Sequence, residues 1–226
     1  MGHEAHGSAG AVESLYPFLY SGTTDLPAVL AEVRASTVAK LGEIVELRRV
    51  IGARDGARLA CCAEEMAARF AAGGRLFAFG NGGSATDAQQ LATLFLNPGD
   101  TGPLPAFGLP NDTAVVTALC NDIGVDVVFA RQLAAFGGKD DIAAGLSTSG
   151  NSGNLLAAFD EASRRGMLTV GLAGYEGGKM AELDSIDYLF VAPSSSVHRI
   201  QEAQTTIYHV LWELTVAALA RIREAR

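Results

Sequence analysis

From Asp25 to Ala72 apolar residues recur at helical spacing. Leu30, Val33, Val38, Leu41, Ile44 and Val45 form one run, and Leu59, Cys62, Met66 and Phe70 a second. The pattern predicts two helices, the second from about Gly56 to Ala72, joined as a hairpin over 25–74 and closed by Gly73-Gly74. Beyond Gly74 the period changes. Short apolar runs predict strands at Leu76–Phe79, Pro105–Leu109, Ile142–Ser147, Leu168–Ala173 and Tyr188–Val191. Helical segments fall between them, near Ala85–Leu96, Thr113–Cys120 with a partner at Val125–Phe136, Gly153–Arg165 and Lys179–Leu183, and a long last helix spans Ser196–Ile222. Strand–helix alternation of this kind predicts an α/β fold, a five-stranded parallel sheet with helices on both faces. Residues 25–226 are expected to form one domain, hairpin included. Residues 1–24, glycine- and serine-bearing with an aromatic knot at Leu15–Tyr20, form an N-terminal extension, either a flexible tail or a segment that docks on a neighbouring subunit.

Composition narrows the classes. Of the 226 residues 49% are apolar and 19% charged, more apolar surface than one small core hides, which favours an oligomer. A formal charge of −8 argues against a nucleic-acid surface. There is no apolar run of roughly 18 residues, so no membrane span is expected. The N-terminus lacks a signal-peptide pattern. Cys61, Cys62 and Cys120 have neither zinc nor disulfide spacing, and the adjacent pair reads as small core fillers on a helix in a reducing cytoplasm.

Candidate chemistry lies where two strands end. Arg75-Leu-Phe-Ala-Phe runs into Gly80-Asn-Gly-Gly-Ser84 and then an alanine-rich helix. That order sets bare backbone N–H groups at a helix N-terminus, where an anion is favoured, with Asn81 and Ser84 as added donors. Gly80-x-Gly82-x-x-Ala85 also matches the dinucleotide fingerprint. The acid that fingerprint needs at the end of the next strand falls late, at Asp112, so a dinucleotide is not expected. The second loop, Ser147-Thr148-Ser149-Gly150-Asn151-Ser152, places four hydroxyls, a carboxamide and a glycine between a strand and a helix. Capping that helix would need only one of them. The surplus fits a phosphate monoester, whose oxygens accept from hydroxyls and N–H groups without the cost of burying a lysine.

The two loops together resemble the sugar isomerase (SIS) family, and within it the bacterial phosphoheptose isomerases, which interconvert sedoheptulose 7-phosphate and a heptose 7-phosphate. Gly177-Gly-Lys-Met180, Arg199-Ile-Gln201-Glu202 and His209 extend the resemblance over about residues 25 to 222. It implies a tetramer with active sites at subunit boundaries and, in many members, zinc. It also implies that Asn81, Gly82 and Ser84 contact the sugar, that Ser147, Thr148, Ser149 and Ser152 hold the phosphate, and that Asp112 faces the site. Gln201 and His209 stand at family catalytic positions.

Aldose–ketose isomerisation needs a base for a proton alpha to a carbonyl and an acid for the oxygen. The family's metal histidine and glutamate base, matched from Ser84, fall on Gln90 and Leu94; a family arginine becomes Pro98 and a family aspartate His198. Along one helix His198 and His209 are ~16 Å apart, and Gln201 and His209 ~12 Å. No resident zinc or other cofactor is therefore expected, with Gln201 and His209 as the donors that would be drawn on if zinc bound. Asp112, Glu202 or His198 would have to replace the missing carboxylate. Asp87 reads as a helix-dipole residue, and Tyr208 and Trp212 as packing. Two functions follow. One is a cytoplasmic, tetrameric isomerase of sedoheptulose 7-phosphate or a related sugar phosphate. The other is a non-catalytic phosphosugar sensor or assembly factor, resembling the SIS protein that binds the bacterial replication initiator.

Overall fold

A computed structural model describes residues 25–225. The expected extension at 1–24 lies outside them. The first element, α1, runs Leu26–Ala71 as a single helix, so the predicted hairpin is replaced by one rod of 46 residues. The stretch between the two apolar runs contains no proline, and its two glycines, Gly52 and Gly56, meet nothing within 4 Å. Each costs about 1 kcal/mol against alanine, too little to end a helix rich in Leu, Arg, Ala and Glu. Buried Asp55 stabilises the same stretch, 2.6 Å from Arg54 and 3.5 Å from Arg58. Among the described residues the chain divides into two units between Glu43 and Ile44. Over 25–43 α1 is exposed along its whole length, Leu26, Leu30, Val33 and Leu41 included. Cys62 is buried but its neighbour Cys61 is exposed, because consecutive helical residues point about 100° apart; only one of the pair fills core.

The unit from Ile44 onward alternates as expected: β1 (Leu76–Gly80), α2 (Gly83–Leu96), β2 (Ala106–Gly108), α3 (Thr113–Asp122), α4 (Val128–Phe136), β3 (Ile142–Leu146), α5 (Gly153–Arg164), β4 (Leu168–Gly174), β5 (Tyr188–Ala192) and α6 (Val197–Glu224). The five strands are parallel in the order β2-β1-β3-β4-β5. Alternate residues serve opposite faces. Leu76, Ala78, Ile142, Ala144, Leu168, Val170 and Leu172 pack with α1, α2 and α6, whereas Phe77, Phe79, Ala143 and Ala173 pack with α4 and α5.

Two anchors fix the register. Asp141, 4% exposed, accepts from the Arg75 backbone N–H at 2.7 Å and from its guanidinium at 2.8 Å, tying the starts of β1 and β3. Thr169 donates its N–H and hydroxyl to Asp187, both at 2.9 Å, and does the same for β4 and β5. The outer edge of β5 is covered by α1, where Arg54 and Arg58 donate to the Val191 and Leu189 carbonyls.

Candidate active site at the ends of strands β1 and β3

In this strand order the connections leave β1 and β3 toward opposite sides, which opens a crevice at their carboxyl ends. Gly80 pairs with Leu146 in register, so the loops Gly80–Ser84 and Ser147–Ser152 leave the sheet side by side. A direct clasp joins them. Asn81 Nδ2 donates to Asn154 Oδ1 and Asn154 Nδ2 to Asn81 Oδ1, each at 2.9 Å. The two loops are thus adjacent and joined by a polar contact.

The second loop is held in one shape from within and from below. Ser147 Oγ accepts from the Gly150 N–H at 3.0 Å, and Ser149 Oγ from the Asn151 N–H at 3.2 Å. Gln204, fully buried on α6, donates to the Ser147 carbonyl at 2.9 Å. The turn at Gly177–Met180 braces the far side, where the Lys179 N–H donates to Asn151 Oδ1 at 2.9 Å and the Met180 N–H to the Gly150 carbonyl at 3.0 Å. Gly150 has φ 68°, and a Cβ there would stand 1.9 Å from the Gly177 oxygen, so only glycine fits. Ser152 occupies the N-cap position of α5 without a side-chain capping bond. Capping therefore does not account for the serines, and the N-terminus of this twelve-residue helix supplies a positive dipole end to the same loop.

The first loop is roofed by α6. Gln201 lies so close to Gly83 that a Cβ there would meet its Nε2 at 2.2 Å. Gln201 thus sits over the glycine loop. His209 is half-buried two turns along, 5.2 Å from the Tyr208 ring and 6.3 Å from Trp212. Ser84 is buried at the start of α2. Asp112 is exposed, and its carboxylate caps α3 by accepting from the Val115 N–H at 3.0 Å.

Of the groups named as substitutes for a missing base, none is brought to the crevice by a described contact. His198 is exposed, Glu202 is exposed and paired with Arg199, and Asp112 serves as a cap. The residue whose expected role the structure changes is Asp87. It lies beyond the first turn of α2, so it is not a dipole residue. It is half-buried beside the phenol of Tyr208; burial pushes its carboxyl up from the ordinary range, and Tyr208 opposes that rise in part. Burial likewise raises the Tyr208 phenol, with Thr205 opposing it.

The SIS-domain family model matches residues 41–174. A phosphoheptose isomerase of Desulfovibrio desulfuricans is 46% identical over 189 residues, covering 74% of this chain and 89% of that protein. One of Burkholderia pseudomallei is 42% identical over 175 residues, 74% and 88% of the two chains. This chain belongs to the SIS-domain family, among the phosphoheptose isomerases. Solved phosphoheptose isomerases agree in fold. That of Neisseria gonorrhoeae superposes with a TM-score of 0.74 at 33% identity, over 80% of this chain and 97% of the other; that of Francisella tularensis gives 0.71 at 30%, over 85% and 98%.

On the helix that follows the glycine loop, Gln90 is exposed and Leu94 packs against the apolar core. A zinc ion does not fit the residues present: among the described residues no group of three or more His, Cys, Asp or Glu could hold one.

Proposed function

We propose that this SIS protein binds sedoheptulose 7-phosphate or a related sugar phosphate and interconverts its ketose and aldose forms, slowly by comparison with its relatives. The observation that carries this reading is the Asn81–Asn154 clasp, which sets the hydroxyl-rich loop Ser147–Ser152 beside the glycine loop under Gln201. Ser147, Thr148, Ser149 and Ser152, with the N-terminus of α5, take the phosphate. Asn81, Gly82 and Ser84 take the sugar hydroxyls, with Asp112 at the rim, and Gln201 and His209 serve the carbonyl end. The exposed apolar residues of α1 over 26–41 support a homotetramer, and the free cysteines fit a reducing cytoplasm. No described helix is long and apolar enough to cross a membrane.

One observation favours a second reading. Leu94 cannot take a proton and Gln90 is a poor metal ligand, which suits a phosphosugar sensor or assembly factor that retains only the cradle. The two are separated by calorimetric titration with sedoheptulose 7-phosphate beside an isomerase assay on the same ester, with and without chelator. Binding with slow, chelator-insensitive turnover supports the isomerase; binding without turnover supports the sensor. Brisk turnover abolished by chelation would overturn the account of the altered helix.

A further inference from the structure

Resting on the isomerase reading, we propose that Asp87 is the proton acceptor of this chain and that Tyr208 is its positioning partner. Three placements converge. Asp87 follows Gly83 by one turn of α2, and Gly83 is the point where Gln201 of α6 closes over the glycine loop. Asp87, Gln90 and Leu94 share one stripe of α2 by their spacing of three and four, so the carboxylate stands on the face from which the family's base is missing, nearer the cradle. Tyr208, 2% exposed, reaches across from α6 to that carboxylate, and its ring lies against that of His209, the second proton-handling candidate.

The chemistry balances without a co-reactant. The Asp87 carboxylate takes the proton from the hydroxyl-bearing carbon next to the carbonyl. That C–H electron pair becomes the carbon–carbon double bond of an enediol as the carbonyl oxygen gains a proton from His209. The enediol collapses when its other hydroxyl returns a proton to His209 and the protonated Asp87 delivers its own to the former carbonyl carbon. One C–H bond is broken and one formed, and the two carbons exchange oxidation level.

The surroundings leave Asp87 few electrostatic neighbours. Strands β1, β2 and β3 and the turn Leu109–Asn111, which also pack on α2, carry no ionisable side chain. From α6 the group facing it is Tyr208, with His209 adjacent; Arg199 and Glu202 pair with each other. A lone, half-desolvated carboxylate of raised proton affinity suits a base that must hold and return the same proton.

The test follows exchange of the carbon-bound hydrogen of sedoheptulose 7-phosphate in deuterated water, with ester binding measured by calorimetry. Both substitutions are near-isosteric. Asp87→Asn is expected to bind the ester like the wild type and to lose exchange by about 100-fold or more, the lower end of what a positioned base contributes. Tyr208→Phe removes the phenol that lowers the carboxyl's proton affinity, so the acid limb of the kcat/KM profile moves to higher pH. Exchange in Asp87→Asn as fast as in the wild type, or an unmoved limb in Tyr208→Phe, overturns the assignment while the isomerase reading stands. A wild type that binds the ester but exchanges nothing overturns both.

Discussion

The side-chain amides of Asn81 and Asn154 meet head to tail, each donating to the other at 2.9 Å, and so join the loop after β1 to the first turn of α5. Asn154 is buried while Asn81 is exposed, which makes the clasp a fixed post holding a surface loop. Asn154→Ala removes both bonds, and sugar phosphate affinity is expected to fall by about 1–3 kcal/mol, read by calorimetry. Asn154→Asp keeps one acceptor but adds a negative charge at the anion cradle. It should weaken the phosphoester more than the dephosphorylated sugar; equal losses for both would remove the phosphate from this end of the crevice.

The serines of the second loop give a sharper comparison. Ser149 Oγ accepts from the Asn151 N–H, and Ser152 makes no capping bond, so each hydroxyl retains its hydrogen for a ligand oxygen. Ser149→Ala and Ser152→Ala should each cost ~1.5–3 kcal/mol of phosphoester affinity, the range for hydrogen bonds to charged groups. Unchanged titrations of the double variant would exclude this loop as the phosphate site.

Gly150 is where the loop and its brace meet. Gly150→Ala forces a side chain into φ 68° and against the Gly177 carbonyl at 1.9 Å. The left-handed conformation alone costs roughly 1–2 kcal/mol, and the overlap must be relieved by separating the loop from the turn at Gly177–Met180. A lowered Tm together with lost phosphoester binding is expected. Loss of stability with full affinity would mean that the brace does not shape the cradle.

Asp87 predicts an opposition between stability and chemistry. Its carboxyl is raised above the ordinary value of 3.8, so the folded chain holds that proton more tightly than the unfolded one. Stability from this group is therefore full below the unfolded value and declines as pH rises through the folded one. Asp87→Asn stays neutral throughout. Its Tm should exceed that of the wild type at pH 7, with the gap closing as pH falls toward the ordinary carboxylate range. A gap independent of pH would place its origin outside the carboxyl ionisation.

The sheet was readable because buried parallel strands leave short apolar runs bounded by glycines, and because hydroxyls beyond any capping need are conspicuous between Leu146 and Gly153. Helix continuity was not. Two apolar runs separated by glycines look the same whether the rod bends or not, and the outcome turns on the small cost of Gly52 and Gly56. Asp87, Asn154 and Gln204 were equally hidden. Each is a polar residue inside a helix, and its meaning comes from a partner between 57 and 121 positions away, Ser147 for Gln204, Asn81 for Asn154 and Tyr208 for Asp87. Periodicity places a residue on a face but not opposite a particular neighbour.

The altered face of α2 can be tested by restoring it. Gln90 and Leu94 are four residues apart and so lie on one side of the helix, the side that carries Asp87. Gln90→His with Leu94→Glu returns an imidazole and a carboxylate to that face, opposite Gln201 and His209 of α6, which gives a donor set of the type zinc accepts. Gln90 is exposed and tolerates the change, whereas Leu94 packs on the core, so a lower Tm without metal is expected. With zinc added, the double variant should bind the ion in calorimetry, recover stability and turn over sedoheptulose 7-phosphate faster than the wild type, a gain reversed by chelator. Zinc binding without faster turnover would mean that Gln90 and Leu94 do not limit the reaction, and that the wild-type rate is already set by its own proton-handling groups.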